Sequence, residues 1–399
     1  MKKIAVILLM LTGVSLQAQT DSLYHVAFIL PFNAEHTYFR LEEFLDATDV
    51  TTANKVRISE ESTLALEFYR GAKIAIEQHQ NDKKMQWHFF DNSSSDSLTA
   101  ALLLNPVFKK MHVIVGSAGS ADAAKVAEFC RVNKIINIQP FVPRKSLGHY
   151  NNYHLKLVPT IETHVDNMFL SIVDSFAGAN VIIYTPSSDI NLSIAQRFDS
   201  LFTNYNKSAA KKFNVVFINT KDMLVNGKKT TAAEQLKTGQ KNVWILTSFD
   251  ENSVSGSFRV MYENRNKYDI AVYGMPNWLN LENMRLDYLN HFNVRISDAY
   301  YFDSTAVLSR TFAENFAASY KLPVNRNSCM GYDVVNFIST ALQQHGNEML
   351  DKLPSSRYKG AGYIFDIHQN KSVDGIINYY EAKHANVFML RDYTLQKIW

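Results

Sequence analysis

Apolar residues along this chain fall in short runs separated by longer amphipathic stretches. Residues 24–32 read as a first buried strand that ends at proline. Residues 64–77 carry apolar side chains at helical spacing. A second strand is predicted over 85–91, with the loop 92–96 at its carboxyl end and a helix over 97–105. The run 112–115 is β-branched and short, as a strand covered on both faces is. It leads into the small-residue turn Gly116-Ser117-Ala118-Gly119-Ser120, then an Ala-rich helix that reaches Cys130, then a strand over 135–138 closed by Pro140. Strand, helix and strand at these lengths make a βαβ unit and so a parallel sheet. Ser120 is the expected N-cap of the helix. A helix start there offers free N–H groups and a partial positive charge to an anion. Parallel sheets take ligands outside the carboxyl ends of their strands, which makes 116–120 the leading candidate contact. The alternative for the same turn is contact with water only.

A second β/α series follows. After an irregular stretch to Asn152, residues 153–160 are extended and Thr160 can cap a helix over 161–176. Strands are predicted at 181–184, 213–219, 242–248 and 270–273, with helices near 190–205, 230–238 and 254–264. The series needs its own core, so a lobe boundary is expected near 155–160. Beyond Phe302 come helices over 305–320 and 331–345, then three short strands at 363–367, 375–382 and 386–393. The polar stretch 33–60 is long for a loop, and its Tyr38, Phe39 and Phe44 are candidates to line a cleft or cover a lobe.

Composition narrows the class. The chain has 399 residues, 46% of them hydrophobic and 20% charged, which suits two or three ordinary cores and excludes a disordered protein. A formal net charge of +3 gives no field suited to nucleic acid. Lys2 and Lys3, the apolar run 4–11 and the sequence Ser15-Leu16-Gln17-Ala18 form an expected secretory signal, cleaved after Ala18. No cysteine stands near that site, so no lipid anchor is indicated and a periplasmic location is expected. Cys130 and Cys329 are read as two separate buried thiols. There is no zinc-type Cys/His spacing, phosphate loop, nucleophile elbow or metalloprotease helix, so neither a cofactor nor enzymatic activity is expected.

Four stretches together resemble the type I periplasmic binding fold, in the branch of leucine/isoleucine/valine-binding proteins. They are the opening strand 26–32, the helix with Glu67-Phe68-Tyr69-Arg70-Gly71-Ala72, the turn 115–120 with Ile138-Gln139-Pro140, and Gly331-Tyr332-Asp333-Val334-Val335. The first helix motif and Gly360-Ala361-Gly362-Tyr363-Ile364-Phe365-Asp366 are similar to a Bacteroidetes-type branch whose members often carry LysM modules; none is read here. The resemblance implies an α/β clamshell of two doubly wound parallel-sheet lobes joined by three crossing segments near 157, 302 and 347. Lobe 1 would take 19–157 with 303–346, and lobe 2 would take 158–302 with 347–399. A small polar ligand would sit between them.

The resemblance implies that Ser117, Gly119 and Ser120 hold a ligand carboxylate, with Gln139 and Phe141 after the next strand. From lobe 2 it implies Asp189, Phe249, Asp250 and Trp278. The chain departs from the amino-acid-binding pattern at bulky Phe141 and in the segment after 270–273, which has no carboxylate. The ligand class therefore extends to short peptides and muropeptides. The implied partner is a membrane transporter or sensor. The alternative is a ligand-free adaptor of the same fold that binds a peptidoglycan-synthesis protein.

Overall fold

The structure is a computed structural model that describes residues 23–35, 58–79 and 84–399, apart from 187, 222–223, 226–227, 277, 282–283 and 355. The expected signal segment and Tyr38, Phe39 and Phe44 lie outside the described residues.

In lobe 1, β1 (Tyr24–Leu30), α1 (Glu60–Gln78), β2 (Met85–Asp91), α2 (Asp96–Leu104), β3 (Val113–Gly116), α3 (Ser120–Asn133), β4 (Ile136–Gln139) and β5 (His154–Lys156) follow in order. Lobe 2 contains α4 (Ile161–Phe176), β6 (Asn180–Thr185), α5 (Asp189–Ser208), β7 (Asn214–Asn219) and the short hairpin β8 (Leu224–Val225) and β9 (Lys228–Lys229). It continues with β10 (Lys241–Leu246), α6 (Glu251–Glu263), β11 (Asp269–Tyr273), α7 (Leu286–His291) and β12 (Arg295–Asp298). The chain then returns to lobe 1 as α8 (Val307–Tyr320), α9 (Arg326–His345), α10 (Met349–Lys352), β13 (Arg357–Lys359), β14 (Ile364–Lys371) and β15 (Ile377–Ala382). It ends in lobe 2 with β16 (Asn386–Arg391) and β17 (Thr394–Lys397).

The larger sheet runs β13-β14-β15-β5-β4-β3-β1-β2 and the smaller β17-β16-β12-β11-β10-β6-β7. The parallel part of each is wound alike: the first strand lies between the second and third, and the order reverses there. Each lobe thus has a topological switch point, between β1 and β3 and between β6 and β10. Both sheets are mixed, because β13–β14–β15 and β12–β16–β17 add antiparallel pairs at one edge. The central parallel strands are mostly apolar because helices cover both faces; Val26 to Leu30 and Val113 to Val115 have no exposed surface.

The third crossing is not near 347. Residues 357–382 pair into the lobe 1 sheet, Tyr380 beside Leu155, and the chain crosses at 383–385 before β16 pairs with β12. Met349, Leu350, Phe365, Ile367 and Tyr380 accordingly fill the lobe 1 core. Smaller corrections are local. Only a short 3-10 turn, Ala233–Gln235, occupies the helix expected near 230–238, and α9 starts at Arg326 rather than 331.

Two glycine motifs turn out to be one contact. A methyl group at Gly71 would strike the Ser328 carbonyl, and one at Gly331 would strike the Phe68 carbonyl. Helices α1 and α9 therefore touch backbone to backbone. Asp333, two residues on, accepts hydrogen bonds from the N–H groups of Ala361 at 2.6 Å, Gly362 at 2.9 Å and Tyr363 at 2.9 Å. Cys130 and Cys329 are separate, free and buried.

Candidate functional site

Lobe 1 presents three turns at the carboxyl ends of its central strands. Asp91, closing β2, accepts from the N–H groups of Asn33 and Ser93 with one oxygen and from Ala34 with the other. Buried Asn92 donates to Thr99 Oγ1 and Ser117 Oγ, both at 3.0 Å, and to Asp122 Oδ2 at 3.3 Å. Burial pushes the Asp122 carboxyl upward. These bonds fix the β3 turn from below. Ser117 is therefore wholly buried, and its hydroxyl faces Asn92 rather than the open end of the sheet.

Gln139 is equally enclosed. Its amide donates to the Ser117 carbonyl at 3.0 Å, while its oxygen accepts from Phe141 N at 2.8 Å and Val142 N at 3.1 Å. The side chain joins the turn after β3 to the turn after β4. Phe141 is half-buried and packs on Phe68. What is left open at the end of β3 is Gly119, which is exposed, and the partly exposed Ser120. Gly119, not Ser120, is the N-cap of α3, and Ser120 is its first helical residue, so the expected cap is one residue late. No side chain caps this helix, whereas the helices after β1, β2, β6 and β10 are capped by Ser59, Ser95, Ser188 and Asp250.

Lobe 2 has the matching arrangement. Asp189 is exposed in the first turn of α5, beyond β6. Asp250 is exposed as the N-cap of α6, beyond β10, and accepts from Ser253 N at 2.8 Å. Its carboxyl is held below the ordinary carboxylate range by that backbone bond. Phe249 beside it is half-buried against the lobe 2 core. Thr247 ties the two turns by donating to the Asn191 carbonyl at 3.1 Å. Trp278 has no exposed surface; its indole N–H donates to the Ser248 carbonyl at 2.9 Å and its ring packs on Phe258. It is a core side chain, accommodated because position 274 is glycine.

Among the expected residues, Gly119 and Ser120 thus stand open at one switch point, and Asp189, Phe249 and Asp250 at the other. Ser117, Gln139 and Trp278 serve internal bonds. Among the described residues no hydrogen bond, ion pair or ring contact joins the lobe 1 group to the lobe 2 group. The polar supports Asn92 and Asp122 were missed by the sequence reading, although both are polar residues flanking buried segments.

A cavity of about 470 Å³ bridges the lobes beside the second crossing. Pro276 and Leu279 line it from lobe 2, Tyr300, Tyr301 and Phe302 from the crossing, and Arg326 from lobe 1. Arg326 pairs with Asp298 and lies over the Tyr300 ring. The cavity can take an apolar or aromatic group and leaves one cation–carboxylate pair at its wall. The buried pair Lys156 and Glu381, 3.6 Å apart on neighbouring strands, ties the first crossing to the third. Among the described residues no group of His, Cys, Asp or Glu is arranged to hold a metal, and no helix is long and apolar enough to cross a membrane.

Two lobes, each with the same strand order and switch point, linked by three crossings, specify the architecture. This is the type I periplasmic binding fold. Solved structures of that fold superpose on nearly the whole chain. A branched-chain amino acid ABC transporter protein from Rhodopseudomonas palustris matches with a TM-score of 0.65 and 11% identity, over 94% of this chain and 95% of its own. A branched-chain amino acid ABC transporter periplasmic ligand-binding protein from Burkholderia xenovorans gives 0.59 and 11%, over 94% of each chain. A substrate-binding protein of an ABC transporter from Desulfitobacterium hafniense, solved with Leu, gives 0.55 and 12%, over 94% of this chain and 99% of its own. No family model and no curated protein matches the sequence. The type I fold accounts for the mixed sheet edges as well, since β14–β15 and β16–β17 extend one lobe each.

Proposed function

We propose that this protein is an exported solute-binding protein that closes its lobes on a small ligand and presents it to a membrane transporter or sensor in the periplasm. The observation that carries the reading is the pairing of switch points. The uncapped start of α3 lies at one, and Asp189, Phe249 and Asp250 lie at the other. A carboxylate meets the N–H groups of Gly119 and Ser120, where the helix dipole favours it. Asp250 and Asp189 face a cationic group of the same ligand, and Phe249 with the hinge-side cavity takes an apolar portion. This is the charge order of an amino acid, short peptide or muropeptide. Closure excludes water and strengthens each of these bonds.

Titration calorimetry of residues 19–399 against free amino acids, short peptides and muropeptides tests the reading. Ser120→Asp places a carboxylate in the first turn of α3, which suits the helix but occupies and repels the anion position. A ligand weakened by about ten-fold or more in that variant, about 1.4 kcal/mol, supports the reading. A ligand bound equally by the variant removes the α3 turn from the site. A flat panel with folded protein supports the adaptor reading instead, which the internal use of Ser117, Gln139 and Trp278 also favours.

A further inference from the structure

The opposite pole of lobe 2, at the amino ends of its strands, holds a cavity of about 540 Å³. It is lined by Lys241 at the start of β10, Arg265 and Lys267 in the turn after α6, Asp269 at the start of β11, His291 at the end of α7 and Arg295 at the start of β12. Cations outnumber carboxylates here, and the way they are held makes the imbalance informative. Among the described residues, only Lys241 of this group forms an ion pair with a carboxylate, Asp269 Oδ1 at 2.6 Å.

Arg265 donates to the Tyr262 carbonyl at 2.7 Å and stacks on the Tyr262 ring, 3.7 Å from its centre. Lys267 lies over the Tyr268 ring. Arg295 donates to the Asn293 carbonyl at 3.0 Å and is wedged over Phe176 and Tyr273. Its Nε is buried with no hydrogen-bond partner. Burial acts most strongly against the Arg295 charge and the nearby Arg391 adds to it, while Tyr273 and Asp269 partly offset them. Ring faces and main-chain carbonyls position these groups without cancelling their charge. The C-terminal ends of α6 and α7 account for Arg265 and His291. They do not account for Lys267, or for a guanidinium carried on a strand and half-enclosed beside a second arginine.

We propose that this polar cavity binds a phosphate-bearing anion, separately from the interlobe site. A phosphate group offers several strong acceptors and more than one negative charge, which matches guanidinium forks held open on one side. The ligand is either a free phosphate compound or the headgroup of an anionic lipid, which would hold lobe 2 to a membrane surface by its outer pole and leave the cleft free. The chemistry is shared, and the two sources are separable.

The test uses residues 19–399 with two probes: inorganic pyrophosphate in titration calorimetry, and phosphatidylglycerol vesicles in co-sedimentation, each at low and at physiological salt. The variants are R265A/K267A, which changes two side chains outside the core, and R295Q. K109A/K110A serves as the control, being an exposed cationic pair on lobe 1. The expected result is saturable binding of at least one probe, weakened about ten-fold or more by R265A/K267A, reduced by salt, and unchanged in the control. Pyrophosphate binding identifies a free phosphate ligand; vesicle binding alone identifies a lipid headgroup. No binding of either probe, or binding that R265A/K267A leaves unchanged, overturns the proposal. Thermal midpoints of the variants separate a lost site from a lost fold, and R295Q is read only if its midpoint is retained. Because Ser120→Asp leaves this pole intact, failure here and failure of the interlobe site are told apart.

Discussion

Asp333→Asn tests the contact that holds α9 to the turn before β14. The Asp333 carboxyl is fully buried and takes three backbone N–H groups, those of Ala361, Gly362 and Tyr363. Hydrogen bonds to a charged acceptor each contribute roughly 1.5–3 kcal/mol, and a buried donor left without a partner costs about 1–3 kcal/mol. Asn has the same shape but only one acceptor oxygen. Whichever way its amide turns, an NH₂ group faces at least one of the three donors. For the protonated carboxyl the donor left without a partner sets the loss, about 1–3 kcal/mol, and the stronger bonds of the ionised form are offset by the cost of burying its charge. Burial pushes the Asp333 carboxyl up to about 7 while the three N–H groups pull it down. The folded protein thus holds a proton that the unfolded chain, at 3.8, has released. Stability from this group falls as pH rises through that window. Urea unfolding at about pH 5, where the folded carboxyl is protonated and no buried charge offsets its bonds, compares the neutral acid with the amide. Asp333→Asn within about 1 kcal/mol of the wild type would refute the reasoning, because it would mean the N–H groups are satisfied elsewhere. Hydrogen exchange at 361–363 should accelerate in the variant even if the global midpoint moves little.

His154 is buried and pushed down to about 3, chiefly by desolvation and secondarily by Lys156, with Nδ1 bonded to Asn137 Oδ1 at 2.6 Å. The folded state stays neutral where the unfolded imidazole, at 6.5, takes a proton, so its contribution is complete above that pH and is lost as pH falls. The stability advantage of wild type over His154→Gln should shrink by roughly 2 kcal/mol between neutral pH and pH 5, and a constant offset in urea melts would contradict the assignment. Lys156 and Glu381 form a buried pair across the first and third crossings, with Lys156 also over the Tyr379 ring at 4.1 Å. Lys156→Met alone should cost about 3–5 kcal/mol because Glu381 is left buried beside only Lys383. Lys156→Met with Glu381→Leu should cost well under the sum of the two single changes; additive losses would show that the two charges do not act as a pair.

The two β/α series were legible because a strand covered on both faces needs an unbroken apolar run, and such runs are local. Val113 to Val115 and Val181 to Ile183 announce themselves without knowledge of their neighbours. The tail was misplaced for the opposite reason. Strands β14, β15 and β16 are short segments of mixed apolar and polar residues, and nothing within 364–391 says which sheet each edge strand joins. That is decided by Tyr380 meeting Leu155 and by Val387 meeting Ser297, pairings across more than half the chain in one case. The site divides in the same way. Gly119, Ser120 and Asp250 lie at strand-to-helix turns, and a turn is a local feature. Ser117, Gln139 and Trp278 lie within a few residues of the carboxyl ends of β3, β4 and β11, yet each is turned inward by a partner the local pattern does not reveal: Asn92, the Phe141 amide and the Ser248 carbonyl. The motifs that carried the family resemblance follow this logic too. Gly71 and Gly331 meet each other's helices, and Asp333 binds the turn in the Gly360 to Asp366 motif. What those motifs preserve is the packing of lobe 1, which is why they identify the architecture and leave the ligand to residues outside them. The basic pole of lobe 2 is the extreme case. Lys241, Arg265, Lys267 and Arg295 form no charge run in the sequence, and only the parallel order of β10, β11 and β12 brings their strand starts to one end.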